Sequence, residues 1–172
     1  MKTLFLGERP KELEAFLDRR RALGQDGYDE VWEGVYHVAP MAHRWHGYVD
    51  GQLGVVLAPY GRRVGLLWTT AFNLGDPDDF RVPDGGFHRT LPSTVYVPTA
   101  AILVEVVSPD DETWEKFGFY AARGVDEICT AEPLERRLRW WRRDGDLFVD
   151  ADASSLLGVT VAEVTGKIDW PR

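Results

Sequence analysis

A single cysteine, Cys129, stands in the whole chain, which excludes an intrachain disulfide framework. A lone thiol fits the reducing cytoplasm. Its apolar setting, "EICTA", makes it a small core residue and not a nucleophile. Long apolar runs are missing too: none approaches the ~20 residues that a membrane helix needs. The opening "MKTLFLGERP" turns charged too early for a secretory signal. Basic charge is scarce, with 20 Lys and Arg against 28 Asp and Glu, a net charge of −8. That balance excludes a protein that coats nucleic acid through bulk positive charge. An enzyme that meets phosphates through metal ions and one local basic strip stays possible. No linker, repeat or low-complexity tract interrupts the chain, so residues 1–172 read as one domain with room for a core.

What the chain does have is aromatic bulk and clear periodicity. Seven Trp point to a well-filled core or an interface. "PKELEAFLDRRRALG" spaces Leu13, Phe16, Leu17 and Leu23 as an amphipathic helix that stops at Gly24. "YDEVWEGVYHVAP" predicts a hairpin, Tyr28–Trp32 and Val35–Val38, turning at Glu33-Gly34. In "HRWHGYVDGQLGVVLAPYG", His46, Val49, Leu53, Val56 and Leu57 share one helical face. Gly47, Gly51 and Gly54 weaken that helix and suit close packing on a sheet.

"RVGLLWTTAFNLG" reads as one strand, "DPDDF" as a turn and "RVPDGGFHR" as a short strand. "ILVEVVSPDD" follows as a buried strand, and "DETWEKFGFYAARG" as a helix from Asp111 to Arg123 closed by Gly124. "VDEICTA", "RRLRWWRR" and "DLFVDA" finish as strands, the last two joined at "DG". The order predicts an α/β domain whose mixed sheet is flanked by helices, with an N-terminal helix and hairpin added.

Glu105 is the anomaly. A carboxylate in so apolar a strand costs several kcal/mol unless something compensates it. Asp84, after Val82-Pro83, lies on a neighbouring short strand, and Lys116 lies on the following helix. If the two strands pair, both carboxylates converge and the helix brings Lys116 over the same face. Two carboxylates and a Lys suit Mg²⁺ or Mn²⁺ with a phosphate. The plainer readings are an Asp84 turn cap, a Glu105 salt bridge to Arg81 or Lys116, and a solvated Lys116 paired with Glu112.

"VPDGGFHR" followed by "ILVEVVSPDDETWEKFGFYAARGVDE" resembles the Uma-two family of candidate endonucleases, of the restriction-endonuclease-like PD-(D/E)xK fold. The resemblance runs from about residue 28 to about residue 149. It implies that Asp84 and Glu105 are the motif carboxylates and metal ligands. The motif lysine two residues on is absent, since Val107 stands there, and Lys116 matches the lysine of the following helix. The strand after Gly124-Val125 departs from many relatives, reading "ICTAEP". The resemblance implies a Mg²⁺- or Mn²⁺-dependent endonuclease acting on nucleic acid, with DNA as the expected form, and a homodimer away from membranes.

His46 and Glu33, with Glu30 behind Glu33, are the further pocket candidates. In "RRLRWWRR", Arg137, Arg139 and Arg143 share a side with Trp141. That composition suits nucleic-acid contact, and equally a protected edge strand or a dimer contact. Two rival readings stand. One is a binding or regulatory protein that keeps the fold without turnover. The other is a hydrolase using His37, His43 and His46, a set that would prefer Zn²⁺.

Overall fold

The computed structural model describes residues 11–39, 42–108 and 112–171. The first ten residues and Pro109, Asp110 and Asp111 of the expected motif and helix start lie outside this range. The elements run α1 (Lys11–Ala22), β1 (Glu30–Trp32), β2 (Val35–His37), α2 (Arg44–Arg63), β3 (Leu67–Thr70), β4 (Asn73–Asp76), β5 (Asp79–Arg81) and β6 (Gly85–His88). They continue with β7 (Tyr96–Val97), β8 (Ile102–Val106), a 3₁₀ turn (Thr113–Lys116), α3 (Phe117–Ala122), β9 (Glu127–Glu132), β10 (Arg137–Asp144), β11 (Leu147–Ala151), β12 (Ala153–Ser154), β13 (Val159–Thr160) and α4 (Val161–Thr165).

β8 lies inside a six-stranded sheet of order β11-β10-β9-β8-β6-β3. All five of its residues are buried, as a near-continuous apolar run requires when both faces are covered. β8 and β9 are parallel, so the 3₁₀ turn and α3 form the crossover between them. On one face Val49, Leu53 and Leu57 of α2 join Phe87, Ile102, Val104 and Trp140. Each fully buried Leu contributes about 1.5–3 kcal/mol relative to exposure. Leu103 and Ile128 face the other way, onto Tyr120 of α3 and onto Leu74 and Val97 of a second sheet. That second sheet has the order β2-β1-β5-β4-β7. The architecture is the expected mixed sheet flanked by helices.

The expected strand "RVGLLWTTAFNLG" is two strands in two sheets. The chain leaves the main sheet at Thr70, makes the β4–β5 hairpin in the second sheet, and returns at Gly85, which pairs with Thr70. Phe72 marks the crossing, its ring 4.5 Å from that of His88. The return runs through Val82-Pro83-Asp84, and Pro83 has no N–H with which to continue a ladder. "RVPDGGFHR" is therefore also divided. Alternation along a chain cannot reveal a change of sheet.

Other differences are local. α1 forms, yet of its expected apolar face only Leu17 is buried, while Phe16 and Leu23 are exposed. Its anchor is polar: Arg20 pairs with Asp29 at 2.8 Å, and Asp29 also accepts from Tyr36 Oη and from the Ala39 amide. A Cβ on Gly54 would meet the Trp68 ring at 3.3 Å, whereas Gly47 and Gly51 face open space. The helix after Glu105 is short and opens with a 3₁₀ turn. α4 and the segment around it, with Leu157, Val159, Val164 and Ile168 in the core, were not anticipated. β10 is an interior strand, so the edge-strand reading of "RRLRWWRR" is wrong: β11 covers it.

Candidate active site

The site is built where the chain re-enters the main sheet. Gly85 pairs with Val104 and Gly86 with Leu103, antiparallel, and Asp84 occupies the bend just before Gly85, at the Glu105 end of that ladder. A Cβ on Gly86 would lie 2.7 Å from the Ile102 carbonyl oxygen, and one on Gly85 would lie 2.8 Å from the Trp68 ring. The glycine pair thus permits the close approach of β6 to β8. Asp84 Oδ2 accepts from the Val106 amide at 2.7 Å and lies 3.1 Å from His46 Nε2. α2 supplies His46 from the end of its inner face, one turn before Val49 and Asp50.

Glu105 is 3% exposed. Its Oε1 accepts from the Tyr120 hydroxyl of α3 and lies 3.7 Å from Lys116 Nζ. Lys116, at the end of the 3₁₀ turn, is buried with its ammonium inside the site. Its nearer partner is Glu30 of β1, at 2.9 Å. Glu30 Oε1 also accepts from the Val82 amide at 2.7 Å, and its Oε2 accepts from Trp32 Nε1 at 2.5 Å.

Asp84, Glu105, Lys116 and His46 are brought together. Glu33 is not: it is exposed in the hairpin turn with φ 49°, and its amide donates to Asp79. The pocket carboxylate of the hairpin is Glu30, the residue ranked behind it. Period-two alternation puts Glu30 and Trp32 on one face of β1, the face from which Glu30 reaches Lys116, while Val31 packs on the other face with Phe80 and Val82. Asp50, four residues after His46, is a further acidic group that sequence reasoning missed. Burial pushes its carboxyl up to about 6; Asp84 adds to this and His46 opposes it.

Burial also pushes the Glu105 carboxyl up to about 8. The Lys116 charge pulls against this, Asp84 pushes with it, the Tyr120 hydrogen bond pulls it down and Glu30 pushes it up. Among the described residues nothing donates to Asp84 Oδ1 or Glu105 Oε2. Those two oxygens are hard donors of the kind Mg²⁺ and Mn²⁺ take. No group of three or more His, Cys, Asp or Glu is gathered around a point among the described residues. Mg²⁺ is commonly held by one or two carboxylates with water and phosphate oxygens filling its other positions, and Asp84 and Glu105 are of the type such an ion takes.

A second buried carboxylate shows the contrast. Glu127, on β9, is 1% exposed but faces the α2 side of the sheet. It accepts from Trp140 Nε1, from the Ser154 and Ser155 hydroxyls and from the Ser155 and Leu156 amides. Its oxygens are spent on tying the C-terminal segment to the sheet. The three histidines outside His88 have separate partners: His37 meets Glu112 at 3.2 Å, His43 accepts from the Trp45 amide, and His46 meets Asp84. Among the described residues they do not form a common site. Cys129 is fully buried, and burial pushes its thiol up, as a core residue requires.

The Arg strip is divided in the same way. Arg137 forms a fork to Glu132 at 2.9 and 2.6 Å and also meets Glu135. Arg143 donates to the Val125 carbonyl and to Asp126. Arg139 lies over the Trp141 ring at 4.2 Å.

The whole architecture places the chain in a class. It matches the crystal structure of "a putative nuclease belonging to DUF820" from Anabaena variabilis ATCC 29413 with a TM-score of 0.64. The match covers 81% of this chain and 90% of that one at 13% identity, so what the two share is the nuclease-like fold. Residues 13–162 match the Uma2 family, described as "Putative restriction endonuclease", and the chain belongs to that family. No curated protein matches the chain.

Proposed function

We propose that this protein is a metal-dependent endonuclease that hydrolyses phosphodiester bonds in nucleic acid, with DNA as the expected substrate. One observation carries the reading. Asp84, in the bend just before β6, and Glu105, on the adjoining β8, each keep one oxygen to which no described residue donates, and the Lys116 ammonium lies 3.7 Å from Glu105. A purely structural carboxylate in this fold looks like Glu127, with its oxygens spent on protein donors.

Asp84 and Glu105 would hold Mg²⁺ or Mn²⁺, which when bound supplies Lewis acidity toward the scissile phosphate and a more acidic water. The chain's own residues do the rest. His46 and the Val106 amide fix the Asp84 carboxylate, and Tyr120 fixes that of Glu105. Glu30 holds Lys116 so that its ammonium faces the site, where it orients the attacking water and offsets charge growing on the phosphate. In hydrolysis a water oxygen bonds to phosphorus as its proton passes to solvent, and the bond to the sugar oxygen breaks as that leaving oxygen takes a proton from solvent.

The family match and the shared core support reading residues 1–172 as one nuclease-like domain. Among the described residues no helix is long and apolar enough to cross a membrane. A cytoplasmic location and a homodimer go with this reading, the latter checked by light scattering.

The test is cleavage of supercoiled plasmid and of labelled oligonucleotides with Mg²⁺, Mn²⁺, Zn²⁺ or chelator, for the parent and for Asp84→Ala. Cleavage with Mg²⁺ or Mn²⁺ that disappears with chelator and in the variant is expected. A folded parent that cuts nothing with any metal and binds no Mn²⁺ would overturn it. That outcome would favour a nuclease-fold protein acting by binding alone, a reading to which the net charge of −8 and the neutralised Arg137 and Arg143 lend weight.

A further inference from the structure

We propose that Arg139, Trp141 and Trp114 form a track that holds a single strand of nucleic acid alongside the Asp84–Glu105 pair. The proposal rests on the nuclease reading for the position of the phosphate that is cut.

Register places the track. Glu105 pairs with Thr130 across β8 and β9, and Thr130 pairs with Arg139 across β9 and β10. Residues paired in register point to the same face of a sheet, so Glu105, Thr130 and Arg139 form one row. Trp141 shares this face, and its Nε1 donates to Thr130 Oγ1 at 3.0 Å. Two strand spacings put Arg139 roughly 10 Å from Glu105. That separation exceeds one phosphate-to-phosphate step, so Arg139 meets a phosphate near, and not at, the one at the site.

Charge selects Arg139 from its neighbours. Arg137 is neutralised by Glu132 and Glu135, Arg143 is engaged by Asp126, and Lys116 is held by Glu30. Among the described residues the Arg139 guanidinium meets no carboxylate and lies over the Trp141 ring. In a chain of net charge −8, an uncompensated guanidinium in the row of the acidic site complements a phosphate.

The aromatic part selects a strand over a duplex. Trp114 precedes Lys116 by two residues, is 41% exposed, and packs edge-on against Trp141 with centroids 5.7 Å apart. An exposed indole beside a guanidinium suits an unpaired base stacked next to a held phosphate. A base stacked inside a duplex offers no face to it.

The experiment measures binding by anisotropy of a labelled 12-nucleotide DNA strand, its RNA counterpart and the blunt DNA duplex, with chelator and with Ca²⁺, across a salt series. The parent should bind one or both single strands at least ten-fold tighter than the duplex. Arg139→Gln should weaken strand binding at least five-fold and reduce the slope of log K against log salt by about 0.7, the value of one phosphate on a single strand. Trp114→Ala should weaken strand binding with the slope unchanged and narrow the gap to the duplex. Arg142→Gln, on the opposite face of β10, should change neither. The tighter of the DNA and RNA strands names the sugar. A parent that binds no strand, an Arg139→Gln variant with the parent's affinity and slope, or a Trp114→Ala variant that loses duplex and strand equally would overturn the track. Failure of the nuclease reading shows separately, as strand binding without Mg²⁺-dependent cleavage.

Discussion

The Lys116 ammonium lies 2.9 Å from Glu30 Oε1, a residue 86 positions earlier in the chain and itself buried. Glu105, on the strand just before Lys116, is the farther partner at 3.7 Å. The lysine is thus oriented by one carboxylate toward another, and the hairpin that carries Glu30 becomes part of the site. Removing one member of a buried pair leaves the other uncompensated, typically at a cost of about 3–5 kcal/mol.

Glu30→Ala should therefore destabilise the protein in urea unfolding, by less than the ~3–5 kcal/mol of a fully stranded buried charge, because Glu105 stays 3.7 Å from Lys116. Lys116→Met alone should also be costly, because Glu30 then loses its cation. The double variant should cost clearly less than the two single losses combined. Additive losses would mean that the pair is not coupled.

His46→Ala should reduce Mn²⁺ affinity about 10- to 100-fold, because a group that orients a ligand carboxylate commonly contributes that much. Titration calorimetry at constant pH reads the change directly. Stability should change far less than in Glu30→Ala, since His46 is only partly buried. An affinity equal to the parent's would remove His46 from the site.

The raised Glu105 carboxyl has a definite sign. Its folded value is about 8 against about 4.5 in the unfolded chain, so the folded state holds an extra proton between those limits. That contribution to stability is complete below pH 4.5 and is lost as pH rises through 8. Glu105→Gln removes the titration. With chelator present, the melting temperature of the variant should gain on that of the parent as pH rises from 4.5 to 8. The difference in stability changes by at most about 1.4 kcal/mol per pH unit for one proton. Millimolar Mg²⁺ should stabilise the parent and not the variant. A gap that stays constant over this range would overturn the assignment.

Glu127→Ala should behave in the opposite way. It strands five donors that now share one carboxylate, and buried groups left unsatisfied cost about 1–3 kcal/mol each before relaxation and water entry. A large loss in thermal stability is expected, with Mn²⁺ affinity unchanged wherever the variant remains folded. Loss of Mn²⁺ affinity at unchanged stability would mean that Glu127, and not Glu105, faces the site.

Much of this was legible along the chain. Steps of three and four placed Val49, Leu53 and Leu57 on the buried face of α2, and the unbroken apolar run around Glu105 marked a strand covered on both sides. The Glu33-Gly34 hairpin turn was marked by residue type and realised with φ of 49° and 82°. Less was legible where the chain changes sheet. Ala71-Phe72 and Pro83-Asp84 read as parts of continuous strands, yet they are the two passages between the sheets, and Asp84 sits in the second passage.

By itself the sequence determined the local elements, the burial of Glu105, the family motif and the candidate set of Asp84, Lys116 and His46. Tertiary structure alone decided that Glu30 and not Glu33 meets Lys116, and that Asp50 adds to the acidic pocket. It also decided that Glu127 is saturated while Glu105 keeps an oxygen to which no described residue donates, and that β10 is interior. The physical reason is range. Periodicity reports which neighbours along the chain share a face, because backbone geometry repeats every two or 3.6 residues. It carries no information about which distant face arrives opposite, and the partners of a buried charge come from there.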